Sequence, residues 1–285
     1  MKTKCVKGTR DFLPREAELR ESLRQTIFEI YRSSGFSLIT TPAIEDAENL
    51  DKSDGGDNLN LIFKILKRGD KLQKALESGD EKQLCDLGLR YDLTLPLTRY
   101  FAANRNELSL PFKAIQMDRV YRAENPQKGR LREFMQCDID VIGDPTPDCE
   151  VELIAVTAKA LNALDIGDFT VRVNDRAVLN KTLSALGFPA DDLATVCVSF
   201  DKLDKIGADG VCAELTEKGF EKTAVDKLSG IINSLPVSLE SITEIVGEED
   251  AKNLTKIISD SRAIANGKYG VEFDISLVRG QGYYT

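Results

Sequence analysis

The clearest structural pattern in the chain lies in FKAIQMDRVYRAE, at residues 112–124, and in LREFMQCDIDVI, at residues 131–142. Apolar and polar residues alternate along both stretches, which is the pattern of β-strands that bury one face in a core. The connecting residues 125–130, NPQKGR, contain a proline and a glycine, which favour a turn. The two stretches are therefore predicted to form a long antiparallel hairpin.

Polar side chains gather on one face of each predicted strand. The second strand places three on the same face: Gln136, Asp138 and Asp140. The first strand places four on its corresponding face: Gln116, Asp118, Arg122 and Glu124. Two interpretations are open, because an antiparallel sheet with one solvated side and a row of functional groups give the same alternation.

The composition limits the kind of partner this chain can bind. Its 285 residues, of which 42% are apolar, are enough for one large or two medium domains. The 38 Lys and Arg residues against 47 Asp and Glu residues give a net charge of -9, which excludes nucleic-acid binding through overall charge. Between residues 99 and 132, however, eight basic residues accompany three acidic ones, so the hairpin is a local basic patch suited to phosphates.

Histidine is absent, which excludes the Ser-His-Asp triad, the Cys-His dyad and histidine-ligated zinc. The six cysteines include no C-x-x-C pair, so free thiols in a reducing cytosol are expected. The chain has neither an apolar run long enough to span a membrane nor the apolar segment of a signal peptide. A cytoplasmic protein without membrane association is predicted.

Before the hairpin, an apolar stripe predicts a helix that begins at Pro14 and ends at Gly35. Residues 36–41, FSLITT, and residues 61–66, LIFKIL, are predicted strands. Residues 45–60 are acidic and rich in glycine, which predicts a solvated loop.

After the hairpin, residues 149–164 and 175–187 have the periodicity of helices, and residues 169–174 that of a strand. Residues 193–266 contain repeated short helical patterns without a convincing strand. The alternation that returns in KYGVEFDISLVRG, at residues 268–280, places Val271, Phe273, Ile275 and Leu277 on one face and predicts a further strand.

Several motifs in a fixed order resemble the histidyl-tRNA synthetase family, which belongs to the class II aminoacyl-tRNA synthetases. They are KGTRDFLP at 7–14, LRYDLTLPLTRY at 89–100, YRAE at 121–124, QCDID at 136–140 and LVRGQGYYT at 277–285. The resemblance implies an α+β fold, with a class II synthetase-like antiparallel sheet flanked by helices and a helical insertion. Residues 1–189 would be the first part of the catalytic core, 190–266 the insertion, and 267–285 a truncated return to the core. A C-terminal anticodon-binding domain is expected to be absent.

The resemblance also implies an activity: activation of L-histidine by ATP, with Mg²⁺, and transfer of the histidyl group to the acceptor end of tRNA(His) by a homodimer. Residues implied to bind histidine are Asp92, Leu93, Thr94, Gln136, Asp140, Tyr283 and Tyr284. Those implied to bind ATP are Arg122, Glu124 and Arg130, and the catalytic pair would be Arg122 and Arg279, which stabilise charge at the α-phosphate. No metal site built from protein side chains is expected.

Alternatives stay open at this point. From the residues alone, helix capping is the favoured interpretation of Asp92 and Thr94, and core packing is that of Tyr283 and Tyr284. A non-catalytic relative, the histidine-sensing regulatory subunit of ATP phosphoribosyltransferase, would share the fold but normally lacks the arginine that Arg279 matches. A general RNA-binding protein that uses the basic hairpin is the third possibility.

Overall fold

The structure, a computed structural model, describes residues 3–51, 61–80 and 83–278. The chain divides into two compact units, Met1–Asp144 and Pro145–Thr285. The helices of the first unit are α1 (Pro14–Ser33), α2 (Ala47–Asp51), α3 (Asp70–Ser78) and α4 (Thr94–Asn104). Its strands are β1 (Ser37–Leu38), β2 (Ile44–Asp46), β3 (Phe63–Leu66), β4 (Cys85–Leu89), β5 (Phe112–Tyr121) and β6 (Glu133–Ile142).

The predicted hairpin is confirmed as the centre of the first unit. Strands β5 and β6 pair antiparallel from Phe112 opposite Ile142 to Tyr121 opposite Glu133. Strand β1 joins the other edge of β5 in parallel and is shorter than the predicted strand over 36–41. Beyond β1 the amide of Ile39 still donates to the carbonyl of Ile115 at 3.0 Å, and the carbonyl of Thr41 accepts from the guanidinium of Arg90 at 2.7 Å.

A second sheet, in the order β2-β4-β3, is antiparallel throughout. It corrects the prediction of a solvated loop over residues 45–60, because residues 45–51 contribute to β2 and form α2. The carboxylate of Glu45 is buried, with 4% of the residue exposed, and is paired with Arg99. Acidic composition therefore does not imply solvation where a cation is brought to the carboxylate by a distant segment. Residues 52–60 lie outside the described part of the chain.

The second unit is mostly helical. Its helices are α5 (Pro147–Ala163), α6 (Arg176–Leu186), α7 (Leu193–Phe200), α8 (Leu203–Glu217), α9 (Lys222–Asn233), α10 (Leu239–Val246) and α11 (Glu248–Ala265). Its strands, β7 (Thr170–Val173) and β8 (Gly270–Phe273), pair in parallel. Strand β8 is shorter than the alternation over 268–280 predicted, because a turn follows it in which the amide of Leu277 donates to the carbonyl of Asp274 at 3.0 Å. The predicted limits of α6 are confirmed: the side chain of Asp175 accepts from two backbone amides at its start, and Gly187 ends it at a φ of 111°.

The helices between residues 190 and 266 share one apolar core with neighbouring elements of the same unit. This core includes Leu183 from α6, Leu215 from α8, Leu254 from α11 and Phe273 from β8. The boundaries of the expected insertion, at 190 and 266, stay a prediction. The antiparallel pairs and flanking helices confirm the predicted α+β class. In the ranges that the structure covers, no helix is both long and apolar enough to cross a membrane.

Candidate functional site

The polar face of the β5–β6 hairpin is covered in part: Gln116 is buried, whereas the side chain of Asp118 is 43% exposed. Cross-strand register places Gln116 opposite Asp138 and Asp118 opposite Gln136. Gln116 is only 2% exposed; its amide donates to the carbonyl of Leu93 at 2.9 Å, and its oxygen accepts from Thr41 at 3.3 Å. The interpretation of a fully solvated side therefore does not hold at Gln116, whereas the functional interpretation of the row stays a prediction.

A buried guanidinium holds this face against the segment that precedes α4. Arg90 is 1% exposed, and its Nε donates to the carbonyl of Arg119 at 2.9 Å. Its two terminal nitrogens reach the carbonyl of Thr41 at 2.7 Å and the carboxylate of Asp118 at 2.8 Å. Sequence reasoning missed Arg90, although it lies two residues before Asp92. These contacts of Arg90 hold the residues that follow it in the chain against the hairpin.

Asp92 lies two residues before Thr94, the first residue of α4, and contributes a carboxylate to the site. The residue is 8% exposed, and one carboxylate oxygen accepts from the backbone amide of Leu95 at 3.3 Å, the contact expected of a helix cap. Burial raises the pKa of Asp92, opposed by hydrogen bonds to backbone amides and the charge of Arg122. Leu93 is fully buried and Thr94 begins the helix. Asp92 thus serves as a cap and also faces the site.

Three residues of β6 bring further polar groups to the same place. Nε2 of Gln136 donates to Asp138 at 2.9 Å. Burial raises the pKa values of both Asp138 and Asp140 to about 6. The charges of Asp140 and Asp92 raise the pKa of Asp138 further, and the charge of Asp92 raises that of Asp140 further. The buried oxygens Oε1 of Gln136 and Oδ2 of Asp140 have no hydrogen-bond partner among the residues that the structure describes. Buried acceptors of this kind are the groups a donor-rich ligand satisfies.

Arg122 supplies the positive charge of the site. Its Nε donates to the carbonyl of Tyr91 at 3.0 Å, and its guanidinium lies over the ring of Phe134, 5.1 Å from the centroid. Within the described ranges, this is the only hydrogen bond that the Arg122 side chain makes. The charge of Arg122 opposes the rise in the pKa values of Asp92 and Asp138 that burial causes. Fixed at Nε, the guanidinium is preorganised to receive an anion at its terminal nitrogens.

The loop after β5 is braced by charge and by the N-terminal segment. Arg130 lies 3.5 Å from the carboxylate of Glu124, and Nε of Arg132 donates to the carbonyl of Glu124 at 3.0 Å. The backbone amide of Arg132 donates to the carbonyl of Gly8 at 2.6 Å. A Cβ on Gly8, whose φ is +88°, would lie 2.7 Å from the Arg132 side chain. The KGTRDF segment thus packs directly on the hairpin loop.

Apart from Leu93, which is buried, and Thr94, which begins α4, the expected site residues fall into three groups. The structure brings Asp92, Gln136, Asp140 and Arg122 to one face of the hairpin. Glu124 and Arg130 pair with each other in the adjoining loop. Arg279, Tyr283 and Tyr284 lie outside the described residues. Asp138 was placed on the polar face by its spacing but was not assigned a role.

The carboxylate and amide oxygens of the site, together with the guanidinium of Arg122, suit a small zwitterion better than a resident metal ion. In the described part of the chain, no three or more His, Cys, Asp or Glu side chains are arranged to hold a metal. Carboxylate and amide oxygens accept from an ammonium, while a guanidinium binds a carboxylate or a phosphate. The site therefore offers acceptors that suit a cationic group and, at Arg122, a donor that suits an anionic group.

Comparisons with known sequences point in the same direction. The chain matches the family model for histidyl-tRNA synthetase over residues 8–285. A histidine–tRNA ligase from Leifsonia xyli subsp. xyli is 44% identical over 98% of this chain and 68% of that protein. A histidine–tRNA ligase from Cytophaga hutchinsonii is 38% identical over 100% of this chain and 66% of that protein. The chain thus spans about two thirds of the length of these relatives.

Solved structures share the fold. The crystal structure of histidyl-tRNA synthetase from Nostoc sp. PCC 7120 matches with a TM-score of 0.79 and 28% identity, covering 100% of this chain and 64% of that chain. A Bacillus halodurans C structure, described as an ATP phosphoribosyltransferase regulatory subunit/histidyl-tRNA synthetase, matches with a TM-score of 0.80 over 100% of this chain and 71% of that chain. At 22% identity the second match shows the fold alone.

Proposed function

Because this chain belongs to the histidyl-tRNA synthetase family, we propose that it is the catalytic part of an ATP-dependent histidine–tRNA ligase. In the first step a carboxylate oxygen of L-histidine attacks the α-phosphorus of ATP, and pyrophosphate leaves with the electrons of the broken bond. In the second, a hydroxyl at the acceptor end of tRNA(His) attacks the carbonyl carbon of the adenylate, and AMP leaves. The observation that carries the proposal is that Oε1 of Gln136 and Oδ2 of Asp140 are buried and have no hydrogen-bond partner in the described part of the chain.

The acceptor oxygens would select the amino acid. Asp92, Thr94 and Gln136 would receive the α-ammonium group, because a cation requires carboxylate, hydroxyl or carbonyl acceptors. Asp140, with Tyr283 and Tyr284, would receive the imidazole nitrogens. A site that hydrogen-bonds a side chain disfavours analogues lacking those groups by about 10⁴-fold or more, so it requires no editing. The buried oxygen of Asp140 supports this role.

The arginines would act on the phosphate. Negative charge grows on the phosphoryl oxygens during the attack, and a guanidinium that is already fixed stabilises it without proton transfer. The hydrogen bond from Arg122 to Tyr91 and the stacking on Phe134 support this role for Arg122. Arg279 is proposed as its counterpart on the resemblance alone. Glu124 and Arg130 are proposed to contact the rest of ATP.

The remaining assignments follow from the family. Mg²⁺ would arrive with the phosphates of ATP, since such ions are usually held by substrate phosphates and one or two carboxylates. A homodimer in the cytoplasm is proposed, as is an insertion formed by residues 190–266. The regulatory-subunit alternative gains no support over the ligase, because the curated relatives named above are ligases.

Exchange of labelled pyrophosphate into ATP tests the proposal, with the full-length protein and L-histidine as the variable. We expect exchange only when both histidine and ATP are present. Histidine binding without exchange would support the regulatory alternative and overturn the ligase. RNA binding with a steep salt dependence and no response of thermal stability to ATP and histidine would support the RNA-binding alternative.

A further inference from the structure

The side-chain amide of Gln136 has a single orientation that satisfies its surroundings. Directly across the ladder lies Asp118, whose two carboxylate oxygens already accept from Arg90 at 2.8 Å and from the backbone amide of Arg119 at 2.8 Å. The next acceptor on the same face is Asp138, two residues along β6, and it receives Nε2 of Gln136 at 2.9 Å. Asp138 therefore takes the donor end of the amide.

An ionised carboxylate only accepts hydrogen bonds, so it discriminates between the two ends of a carboxamide. If the amide of Gln136 were reversed, its oxygen would face the carboxylate of Asp138 and its NH₂ would occupy the place of the buried oxygen. Two acceptors would then oppose each other, and a buried donor would lose its partner, which is costly. In the observed orientation, Oε1 is the buried acceptor that has no partner within residues 3–51, 61–80 and 83–278.

We propose that Asp138 is a positioning residue for histidine binding, which fixes the amide of Gln136 so that its oxygen is presented to the ammonium group of the amino acid. The inference rests on the proposed function and extends that function to Asp138, a residue to which no role was assigned. Asp138 does not touch the ammonium group itself in this proposal. It acts through the hydrogen bond that it accepts from Gln136.

The protonation state of Asp138 is consistent with this task. Burial raises its pKa to about 6, and the groups that face it are Asp140 and Gln136 on β6, Asp92 before α4 and Arg122 after β5. Asp140 and Asp92 raise the pKa, whereas the amide of Gln136 and the charge of Arg122 lower it. Asp138 is therefore ionised at the pH at which binding would be measured, near 7.5.

Exchanging the donor and acceptor between the two positions tests the inference. In Asp138→Asn the side chain offers both a donor and an acceptor, so it no longer selects one orientation of Gln136, and we expect histidine to bind about 10-fold more weakly. In Gln136→Glu a carboxylate oxygen faces Asp138, and we expect a similar loss. In the double variant, the amide of the new Asn donates to the new Glu, whose other oxygen points to the ligand. We expect its affinity to recover to within about 3-fold of the wild type.

The sign of the Gln136→Glu effect is the decisive reading, because it should weaken binding in the wild-type background and strengthen it in the Asp138→Asn background. If only net charge mattered, Gln136→Glu would strengthen ammonium binding in both backgrounds. If only packing mattered, it would weaken binding in both. Either result would overturn the inference. Histidine titrations by calorimetry with the full chain give the affinities, and unfolding without ligand verifies that each variant is folded.

Two additional measurements distinguish the inference from the function on which it rests. Deamino-histidine, 3-(imidazol-4-yl)propionate, lacks the ammonium group, so Asp138→Asn should change its affinity less than 2-fold; an equal 10-fold loss would overturn the positioning role. Asp138→Ser, whose hydroxyl both donates and accepts, replaces Asp138→Asn if that variant does not fold, with the same expected loss. Absence of histidine binding by the wild type would overturn the proposed function, and this inference with it.

Discussion

Arg99 and Glu45 form a two-pronged ion pair that joins α4 to β2. Nε of Arg99 lies 2.8 Å from one carboxylate oxygen of Glu45, and the terminal nitrogen Nη2 of Arg99 lies 2.8 Å from the other. The pair is asymmetric in its exposure, because the side chain of Glu45 is 3% exposed and that of Arg99 is 37% exposed. Loss of one partner should therefore differ in cost from loss of the other.

Arg99→Ala should destabilise the chain more than Glu45→Gln does. Removing Arg99 leaves a buried, uncompensated carboxylate, which costs about 3–5 kcal/mol, whereas the guanidinium left by Glu45→Gln is partly solvated. Urea unfolding at pH 7.5 measures both. Lys64→Ala is the matched control, because its ion pair with Asp51 has side chains 44% and 41% exposed and should be worth about 1 kcal/mol or less. Equal losses for Arg99→Ala and Glu45→Gln would contradict the prediction.

Two carboxylates on the same sheet face should respond to neutralisation with opposite signs. The pKa of Asp140 is raised to about 6, chiefly by burial, so the folded state binds its proton more tightly than the unfolded state does. This contribution to stability is complete below the unfolded pKa of about 3.9 and is lost as the pH rises through about 6. Asp140→Asn should consequently increase the free energy of unfolding at pH 7.5, and the increase should shrink at pH 4.5.

Asp118→Asn provides the comparison. Burial alone would raise the pKa of Asp118, but the hydrogen bond from Arg90, the backbone amide of Arg119 and both arginine charges lower it overall. A lowered pKa means that the ionised form stabilises the fold above the unfolded pKa and that this contribution is lost as the pH falls. Asp118→Asn should thus destabilise the chain at pH 7.5. Urea unfolding at the two pH values checks both variants; the same sign for both at pH 7.5 would refute this prediction.

Arg122→Ala should lower kcat/KM for pyrophosphate exchange by about 10²–10³-fold, the usual effect of losing one preorganised donor to a developing charge. Arg122→Lys should restore little, because an ammonium cannot reproduce both the hydrogen bond to Tyr91 and the stacking on Phe134. Arg119→Ala is the control: Arg119 lies on the opposite face of β5, with its side chain 59% exposed and 3.3 Å from Glu133. A comparable loss for Arg119→Ala would exclude a specific role for Arg122.

Gly88→Ala should destabilise the second sheet. A Cβ at Gly88 would lie 2.7 Å from the side chain of Leu50 and 3.0 Å from that of Ile62, both of which are buried. Overpacking of this kind costs about 1–3 kcal/mol. Gly230→Ala in α9 should do the reverse and stabilise by about 0.5–1 kcal/mol, because nothing lies within 4 Å of its added Cβ and alanine favours helix. Thermal unfolding of both variants gives the comparison; stabilisation by Gly88→Ala would disprove the tight contact.

Local sequence signals predicted the elements whose stability is local. The helix from Pro14 and the capped helix that ends at Gly187 depend on residues within a few positions of one another, and both are confirmed. The hairpin is also confirmed, since its register follows from alternation and a short turn. The apolar stripe of α1, by contrast, predicted more burial than the structure shows, because Leu19 is 58% exposed and Leu23 is 39% exposed.

Long-range contacts explain what the sequence did not reveal. Whether a polar face is solvated or covered depends on what packs upon it, and here the cover is brought by Arg90, which lies in a separate strand-to-helix connection. The burial of Glu45 likewise depends on Arg99. Of the site, Asp92, Arg122, Gln136 and Asp140 were predicted through the family resemblance, while the link between Gln136 and Asp138 required side-chain geometry.

The pairing of β1 with β5 has a consequence for the order in which the chain is made. Ser37 has no ladder partner until Ala114 has been synthesised, and β5 in turn awaits β6. The described residues that are proposed to bind substrates lie between Asp92 and Asp140, so the last of them leaves the ribosome with the final strand of the first unit. A nascent chain would expose α1 and β1 without their partners throughout that interval, and slow closure of such distant pairs is the expected rate-limiting event. A translational pause while β5 or β6 is still inside the ribosome would lengthen this exposure, whereas a pause after both strands have left the ribosome would allow the first unit to close.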